Sequence, residues 1–435
     1  MAESYYFQRF GFCPRQIQSP PHPELGMVVV IPCFNEPDLV GTLEALFQCQ
    51  RPACALEIIV VINAAEGAPA EIIIQNSQTR MAATAWSAAH FEEKCRVHLL
   101  DFPALPRKHA GVGLARKIGM DEALRRLGEA GRPDGIIVCL DADCRCDANY
   151  LASLETHFRE DKKTPACSIY FEHPLCGPLD SKVYEAAALY ELHLRYYVQA
   201  LRFAQFPFAY HTIGSSMAVR ASVYEAQGGM NRRQAGEDFY FLHKIIPLGG
   251  FTELNRTRVI PSPRASNRVP FGTGKAVQRY LETGSLRSYP LAAFRDLQQF
   301  FTHLPEFQPA DLRSEQDRWP ESVRSFLAEQ RFDEVVAEIR RHSTTARGFQ
   351  KRLFRWFDGF QAMKFVHHAR DRFYGESSVV ASARELLGAL SEPHQPHAQA
   401  PTEKTFEEVK ILLKCFRDLD RSGNIVGTSK HDSPI

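Results

Sequence analysis

The sequence predicts an α/β protein: a doubly wound, mostly parallel, Rossmann-like sheet followed by a C-terminal helical region. Three observations carry this. Strand-like and helix-like segments alternate from about residue 27 to about 260, as successive β-α units require. The apolar runs in that stretch (27–31, 57–62 and 135–140) are strand-length and mostly β-branched, as in strands buried on both faces. Beyond about residue 276 the strands vanish and apolar residues recur at helical spacing.

The first strand covers 27–33, with Pro32 ending its ladder, and Leu39, Val40, Leu43, Leu46 and Phe47 then mark one face of a helix. A second strand covers 58–62, a helix 68–90 and a short third strand 97–100. A helix over 112–128 closes at Gly128, and a fourth strand, 135–140, runs straight into Asp141-Ala142-Asp143. Residues 166–171 read as a strand, and Val183, Ala187, Tyr190, Leu194, Tyr197 and Leu201 place a long helix. Residues 211–219 are strand or loop, 238–246 are helical, and a Pro/Arg-rich connection over 256–275 breaks the pattern. Val323, Phe326, Leu327, Phe332, Val335, Val336 and Ile339 predict paired helices, as do Leu353, Trp356, Phe357, Phe360 and Met363. The expected organisation is an N-terminal extension (1–26), the main α/β domain (27–260), a basic Pro/Gly loop acting as a lid (261–275), a helical region (276–390), and a linker with a polar tail (391–435).

Composition excludes several classes. Hydrophobic residues at 44% and charged residues at 24% are those of a globular chain, so wholesale disorder is excluded. With 52 Lys+Arg against 51 Asp+Glu, no global field draws the chain to nucleic acid, and none is expected as a partner. No apolar run approaches the roughly 18 residues of a membrane span. The first residues carry no basic segment followed by an apolar block, so they do not read as a signal peptide. The 11 cysteines are odd in number, scattered and without a CxxC pair, which points to reduced thiols in the cytoplasm.

Four motifs could carry chemistry. Pro32-Cys33-Phe34-Asn35-Glu36 follows the first strand and sets polar groups at its end; a capped strand-to-helix turn has the same pattern. In Asp141-Ala142-Asp143, alternate carboxylates share a face and could address one hard cation such as Mg²⁺ or Mn²⁺; solvated loop acids are the bland reading. Glu237 and Asp238 open a helix, whose positive end keeps a carboxylate ionised, fit either for general base work or for simple capping. Lys108 to Gly119 holds Gly111, Gly113 and Arg116 at a helix start, a weak phosphate-site signal by itself. Cys144 and Cys146 lack the partner pair of a zinc site. Gly272-Thr273-Gly274-Lys275 departs from a phosphate loop, and Asp418–Ser429 from a calcium loop. His173, His211 and His243 read as core or surface histidines before metal ligands.

In this order the four motifs resemble the family 2 glycosyltransferases, over about residues 27–260. The resemblance implies the GT-A nucleotide-sugar fold. It implies a nucleotide site around Pro32, Asn35 and Glu36, with Gly111, Arg116 and neighbouring Lys108 at the glycine-rich helix start. It also implies Asp141 on the ribose, Asp143 on the metal and Asp238 as base beside Glu237. Gly214 through Gly229 resembles the acceptor-side segment. Where the family commonly ends its second strand with a base-reading Asp, this chain has Asn63. The QxxRW signature of processive synthases is absent, so a single sugar is expected to be added.

The chemistry agrees with the resemblance. A departing diphosphate needs a cation, which Asp143 with Asp141 can hold, and fixed positive charge, expected from Arg264 or Arg268 in a basic segment that also includes Arg256, Arg258 and Lys275. A solvated basic linker is the equal alternative. The expected function is metal-dependent, inverting transfer of one hexosyl unit from a nucleoside-diphosphate sugar to a hydroxyl acceptor: a glycan, a lipid-linked molecule or a small molecule. The alternatives are a nucleotidyltransferase, whose glycine-rich loop after the first strand is missing here, and a catalytically silent nucleotide-sugar-binding scaffold. Lys351, Arg352, Arg355 and Lys364 interleave with Phe354, Trp356, Phe357 and Phe360. That pattern suits peripheral membrane contact, though an amphipathic helix packed on its neighbours is the favoured reading.

Overall fold

The computed structural model describes residues 4–268, 272–308, 311–391 and 405–422. Residues 269–271 of the expected lid, and 392–404 and 423–435 of the expected linker and tail, lie outside them.

The β-branched runs form β1 (Leu25–Cys33), β2 (Ala55–Ala65), β3 (Cys95–Leu105) and β4 (Ile136–Cys139). They are followed by β5 (Arg145–Cys146), β6 (Ala166–Phe171), β7 (Met217–Arg220) and β8 (Thr252–Ile260). One sheet joins them in the order β3-β2-β1-β4-β7-β6-β8-β5. Strands β3, β2, β1 and β4 run parallel, as do β6 and β8; β7 is antiparallel to β4 and β6, and β5 to β8. The helices begin with α1 (Tyr5–Phe10), α2 (Leu39–Phe47), α3 (Ala70–Ala89), α4 (Val112–Glu129) and α5 (Tyr150–Glu160). They continue with α6 (Ser181–Phe203), α7 (Ala221–Ala226), α8 (Glu237–Ile245) and α9 (Thr273–Thr283). The doubly wound, mostly parallel sheet expected from the sequence is present.

Contacts divide the chain into two compact units: Met1–Gly177 with Thr212–Gln278, and Pro178–His211 with the chain from Arg279 onward. The long helix α6, read from the sequence within the α/β domain, therefore groups with the C-terminal helices.

In the first unit β1 is the pivot. It pairs with β2 on one side and β4 on the other, so the chain's path reverses there, and such a sheet opens a ligand crevice beyond its C-terminal strand ends. Pro32 does not end the ladder as the sequence suggested. Pairing to β2 continues through Pro32 and Cys33, whereas pairing to β4 stops at Val30, before the residue that lacks an N–H. Helix α4 packs on β1 and β2 through Gly119, where a Cβ would overlap Val30 Cγ1 and lie 3.2 Å from Val61 Cγ2. Gly119→Ala is expected to destabilise the protein by about 1–3 kcal/mol, the cost of overpacking, measurable as a lowered urea midpoint.

Two stretches differ from the sequence reading. Residues 252–260 form β8, so that 256–260 belong to a strand rather than to the expected connection. Their inward residues Leu254, Thr257 and Val259 break strict alternation, because the pairing with β6 slips between Ile169↔Leu254 and Phe171↔Val259, and the period-2 signal is lost. The N-terminal extension is packed into the unit: Tyr6 is buried and donates to Asp121 Oδ1 at 2.7 Å, and Ile17 N donates to Glu122 Oε1 at 2.9 Å.

The second unit is helical among its described residues, apart from the short strand pair Arg287–Ser288 and Ser377–Ser378. Its core includes Phe294, Phe300, Phe326, Phe332 and Phe357. Buried Asp420, on the helix Phe406–Ser422, accepts from Arg195, Gln199 and His211. Burial opposes ionisation there, but His211, Arg195 and Arg202 hold the carboxyl far below its ordinary range. Phe354 and Phe357 point inward while Lys351, Arg352 and Arg355 are exposed, the amphipathic arrangement favoured above.

Candidate active site

The residues at the end of β1 are fixed by a polar scaffold. Asn35 adopts φ 49°, a left-handed conformation that Asn tolerates, and its N–H donates to Asn76 Oδ1 at 2.9 Å. Asn76 Nδ2 in turn donates to the main-chain oxygen of Asn63 at 2.9 Å. The Asn63 side chain is buried and donates to Cys33 O at 2.9 Å, so it ties the end of β2 to the end of β1. Pro32 is in the strand and presents no polar side chain.

At the end of β4, Arg116 organises three acids. Gly111 caps α4 in a conformation (φ 155°) open to glycine, where a Cβ would sit 3.0 Å from Gln234 O. This close approach brings the start of α4 against the segment leading into α8. Arg116, one turn into the helix, is 2% exposed. Its guanidinium donates to Glu237 and, at 2.7 Å, to Asp141 Oδ1. Burial opposes its charge, but Glu237 and Asp141 more than compensate and raise its pKa. Glu237, 2% exposed, is pushed up to about 7, by burial first and by Asp238 against the pull of Arg116. Asp238 accepts from Gly214 N at 2.7 Å and from Phe239 N at 2.7 Å. Burial raises its pKa while Arg116 opposes the rise. The segment at Gly214 and the acid at Asp238 are thus in direct contact.

Asp143 lies in the same turn, beyond the end of β4 at Cys139, so the strand alternation expected for the two acids does not apply. Arg264 Nη2 and Arg268 Nη2 each stand 3.2 Å from its Oδ2. The same two guanidiniums grip Glu36, with Arg264 Nη1 3.0 Å from Oε1 and Arg268 Nη1 2.8 Å from Oε2. Glu36 is 1% exposed. Burial would raise its pKa, but Arg264, the Asp38 N–H and Arg268 bring it below the ordinary carboxylate range. Asp143 goes the other way, raised by burial and then by Asp141 against both arginines. Beside this cluster lies a cavity of about 540 Å³, lined by Phe34, Asn35, Ile72 and residues 264–268. Its size is that of a small-molecule site.

Among the described residues no group of three or more His, Cys, Asp or Glu is placed to hold a metal ion. Asp141 and Asp143 offer hard oxygen donors two residues apart, and Asp141 is already engaged by Arg116. This set does not fit a metal caged by protein. It fits a hard divalent cation that keeps most of its coordination for water and a ligand's phosphates.

Asn35, Arg264 and Arg268 come together at the cavity, with Glu36 and Asp143 on the same arginines; Asp141, Arg116, Glu237 and Asp238 form the adjoining cluster. Lys108 is exposed in the turn before α4. The other basic residues of the expected lid separate. Arg256 and Arg258 belong to β8, where Arg256 pairs with Glu160 and Arg258 with Asp147 and Glu172, while Lys275 in α9 donates to Asn267 Oδ1 at 3.2 Å. His173 and His243 are satisfied by Thr273 Oγ1 and Phe239 O. Sequence reasoning missed Asn76. It lies mid-helix on α3, where a helical pattern gives no sign that its amide serves the β1 and β2 ends.

The family model described as Glycosyl transferase family 2 matches residues 28–228. Comparison with curated proteins gives no match. Among solved structures, S. aureus TarS 1–349 in complex with UDP-GlcNAc is 11% identical, covering 92% of this chain and 91% of that one, with a TM-score of 0.39. The mannosyltransferase PcManGT from Pyrobaculum calidifontis, in complex with GDP-Man and Mn²⁺, is 16% identical, covering 98% and 94%, with a TM-score of 0.36.

Proposed function

We propose, from the match of residues 28–228 to the family 2 glycosyltransferase model, that the enzyme transfers one sugar, with inversion, from a nucleoside-diphosphate donor to a hydroxyl acceptor. The observation that carries the reading is the run of ion pairs across the ends of β1 and β4, from Glu36 through Arg264 and Arg268 to Asp143, and from Asp141 through Arg116 to Glu237. It gathers three guanidiniums among four carboxylates beside half-buried Asp238, which is anchored to the Gly214 backbone.

The residue roles follow. Asn35 and Phe34 line the cavity that takes the nucleoside, with Asn63 and Asn76 supporting its floor. Asp141 faces the ribose, oriented by Arg116. A Mg²⁺ or Mn²⁺ ion bound at Asp143 would neutralise the leaving diphosphate. Arg264 and Arg268, whose guanidiniums are held at the cavity by Glu36 and Asp143, supply positive charge to the phosphates. Asp238 takes the acceptor's proton, and Glu237 holds Arg116 in place. All 11 cysteines are unpaired thiols, which supports a cytoplasmic setting, and no described helix is long and apolar enough to cross a membrane.

A donor screen tests this directly. With Mn²⁺ present, one nucleoside-diphosphate sugar is expected to raise the Tm, a ligand at 100 times its Kd adding about 2.7 kcal/mol. The gain should vanish with a chelator and in Asp143→Ala. A panel in which no donor shifts the Tm, or one in which chelation changes nothing, would count against the proposal.

Two further results are expected. Replacing Arg264 or Arg268 by Ala should weaken donor affinity about ten- to hundredfold, the worth of one charge-assisted hydrogen bond, read by donor titration. Asp238 must be ionised to accept a proton, and burial raises its pKa above the ordinary 3.8. The kcat profile should therefore fall as pH drops through that raised value; a profile flat down to the ordinary carboxylate range would remove Asp238 from the base role.

A further inference from the structure

We propose that Cys49 and Cys146 form a dithiol site that a low-molecular-weight disulfide oxidises to an intramolecular Cys49–Cys146 disulfide. Their sulfurs stand 3.5 Å apart although the residues are 97 positions apart in sequence. Both are held from the two sides. Cys49 follows α2, with its Sγ 3.2 Å from Ala45 O and 3.5 Å from Asp147 O. Cys146 lies on β5, which Gln50 N→Ala148 O (2.7 Å) and Arg145 Nη1→Thr42 Oγ1 (3.2 Å) fasten to the α2 region. Closing the gap to a bond of about 2.05 Å brings the two sulfurs about 1.5 Å nearer. Cys146 is half-buried, which leaves a route for a small oxidant, while Cys49 is 5% exposed.

The two thiols are unequal. The hydrogen bond shared with Cys146 is the leading cause that lowers the Cys49 pKa, against burial and with help from Arg51, and it raises that of Cys146. The thiolate is the nucleophile. One protein thiolate attacks the small disulfide, forming a mixed disulfide and expelling one small thiolate. The second protein thiol gives its proton to solvent and attacks the protein-bound sulfur, expelling the other small thiol. Two protein thiols are oxidised by two electrons, and one small disulfide is reduced to two thiols. The new bond fastens the end of α2 to the strand that begins two residues after Asp143.

The inference does not rest on the glycosyl-transfer reading, and its test needs no substrate. Fully reduced, full-length protein is exposed to glutathione disulfide, then examined by intact mass and by non-reducing peptide mapping. The expected result is the loss of two hydrogens, two fewer titratable thiols after denaturation, and a Cys49–Cys146 linked peptide. Cys49→Ser and Cys146→Ser should each abolish that cross-link. A glutathione adduct that stays on either cysteine of the wild type, oxidation confined to exposed Cys176 and Cys415, or a two-hydrogen loss that persists in either variant would overturn the proposal.

Discussion

Asp238→Asn is expected to lower kcat by about 10²–10⁴-fold, the usual worth of a positioned general base, with donor affinity unchanged. Asn keeps an oxygen able to accept from Gly214 N, where Asp238 now accepts at 2.7 Å, and gives up only the bond that the second oxygen accepts from Phe239 N. It cannot take up a proton at neutral pH, and the acceptor hydroxyl loses the group that would deprotonate it. Nucleoside-diphosphate release measured at saturating donor, alongside a donor titration, separates the two quantities. Wild-type turnover in the variant would take Asp238 out of the chemistry, and loss of donor affinity with unchanged kcat would move it to the donor side.

The second large effect concerns stability. Arg116→Met leaves Glu237, 2% exposed, without its cation and deprives Asp141 of its partner. Breaking a buried pair from one side costs about 3–5 kcal/mol, and urea unfolding should show a loss of that order. The deficit should be smaller at low pH. Glu237 already stands at about 7, against an ordinary 4.5, with Arg116 in place. Without Arg116 its folded pKa rises further, so the variant retains the proton that the unfolded chain has released. That contribution is present below the unfolded pKa and is lost as pH rises through the folded one, so unfolding at about pH 5 and about pH 8 gives the sign. A deficit independent of pH would mean that Glu237 had found another partner.

The parallel core was legible because its strands are buried on both faces: β1 and β2 are almost unbroken apolar runs, and nothing else that short and β-branched fits between helical patterns. The acids were legible by position, since Asp141 and Asp143 follow such a run directly. Strand β8 was not, because its slipped pairing with β6 destroys the alternation that would announce it. The grouping of α6 with the C-terminal helices was hidden for another reason. Its periodicity shows which face is buried but not which partner covers it. The basic segment was half legible: proline and arginine content marked it, but only the fold separates Arg264 and Arg268, on Glu36 and Asp143, from Arg256 and Arg258 on β8. Asn35 is a left-handed turn residue that lines the cavity and Glu36 a buried anchor for Arg264 and Arg268, whereas the N-cap of α2 is Asp38.

The central claim is that Asp238 meets the donor sugar on the face opposite its diphosphate. In the absence of acceptor, slow donor hydrolysis followed by NMR reports the configuration of the first-formed free sugar before it mutarotates. Water activated by Asp238 should give the anomer opposite to that of the donor, and Asp238→Asn should suppress it. A first product with the donor's own configuration would contradict the account.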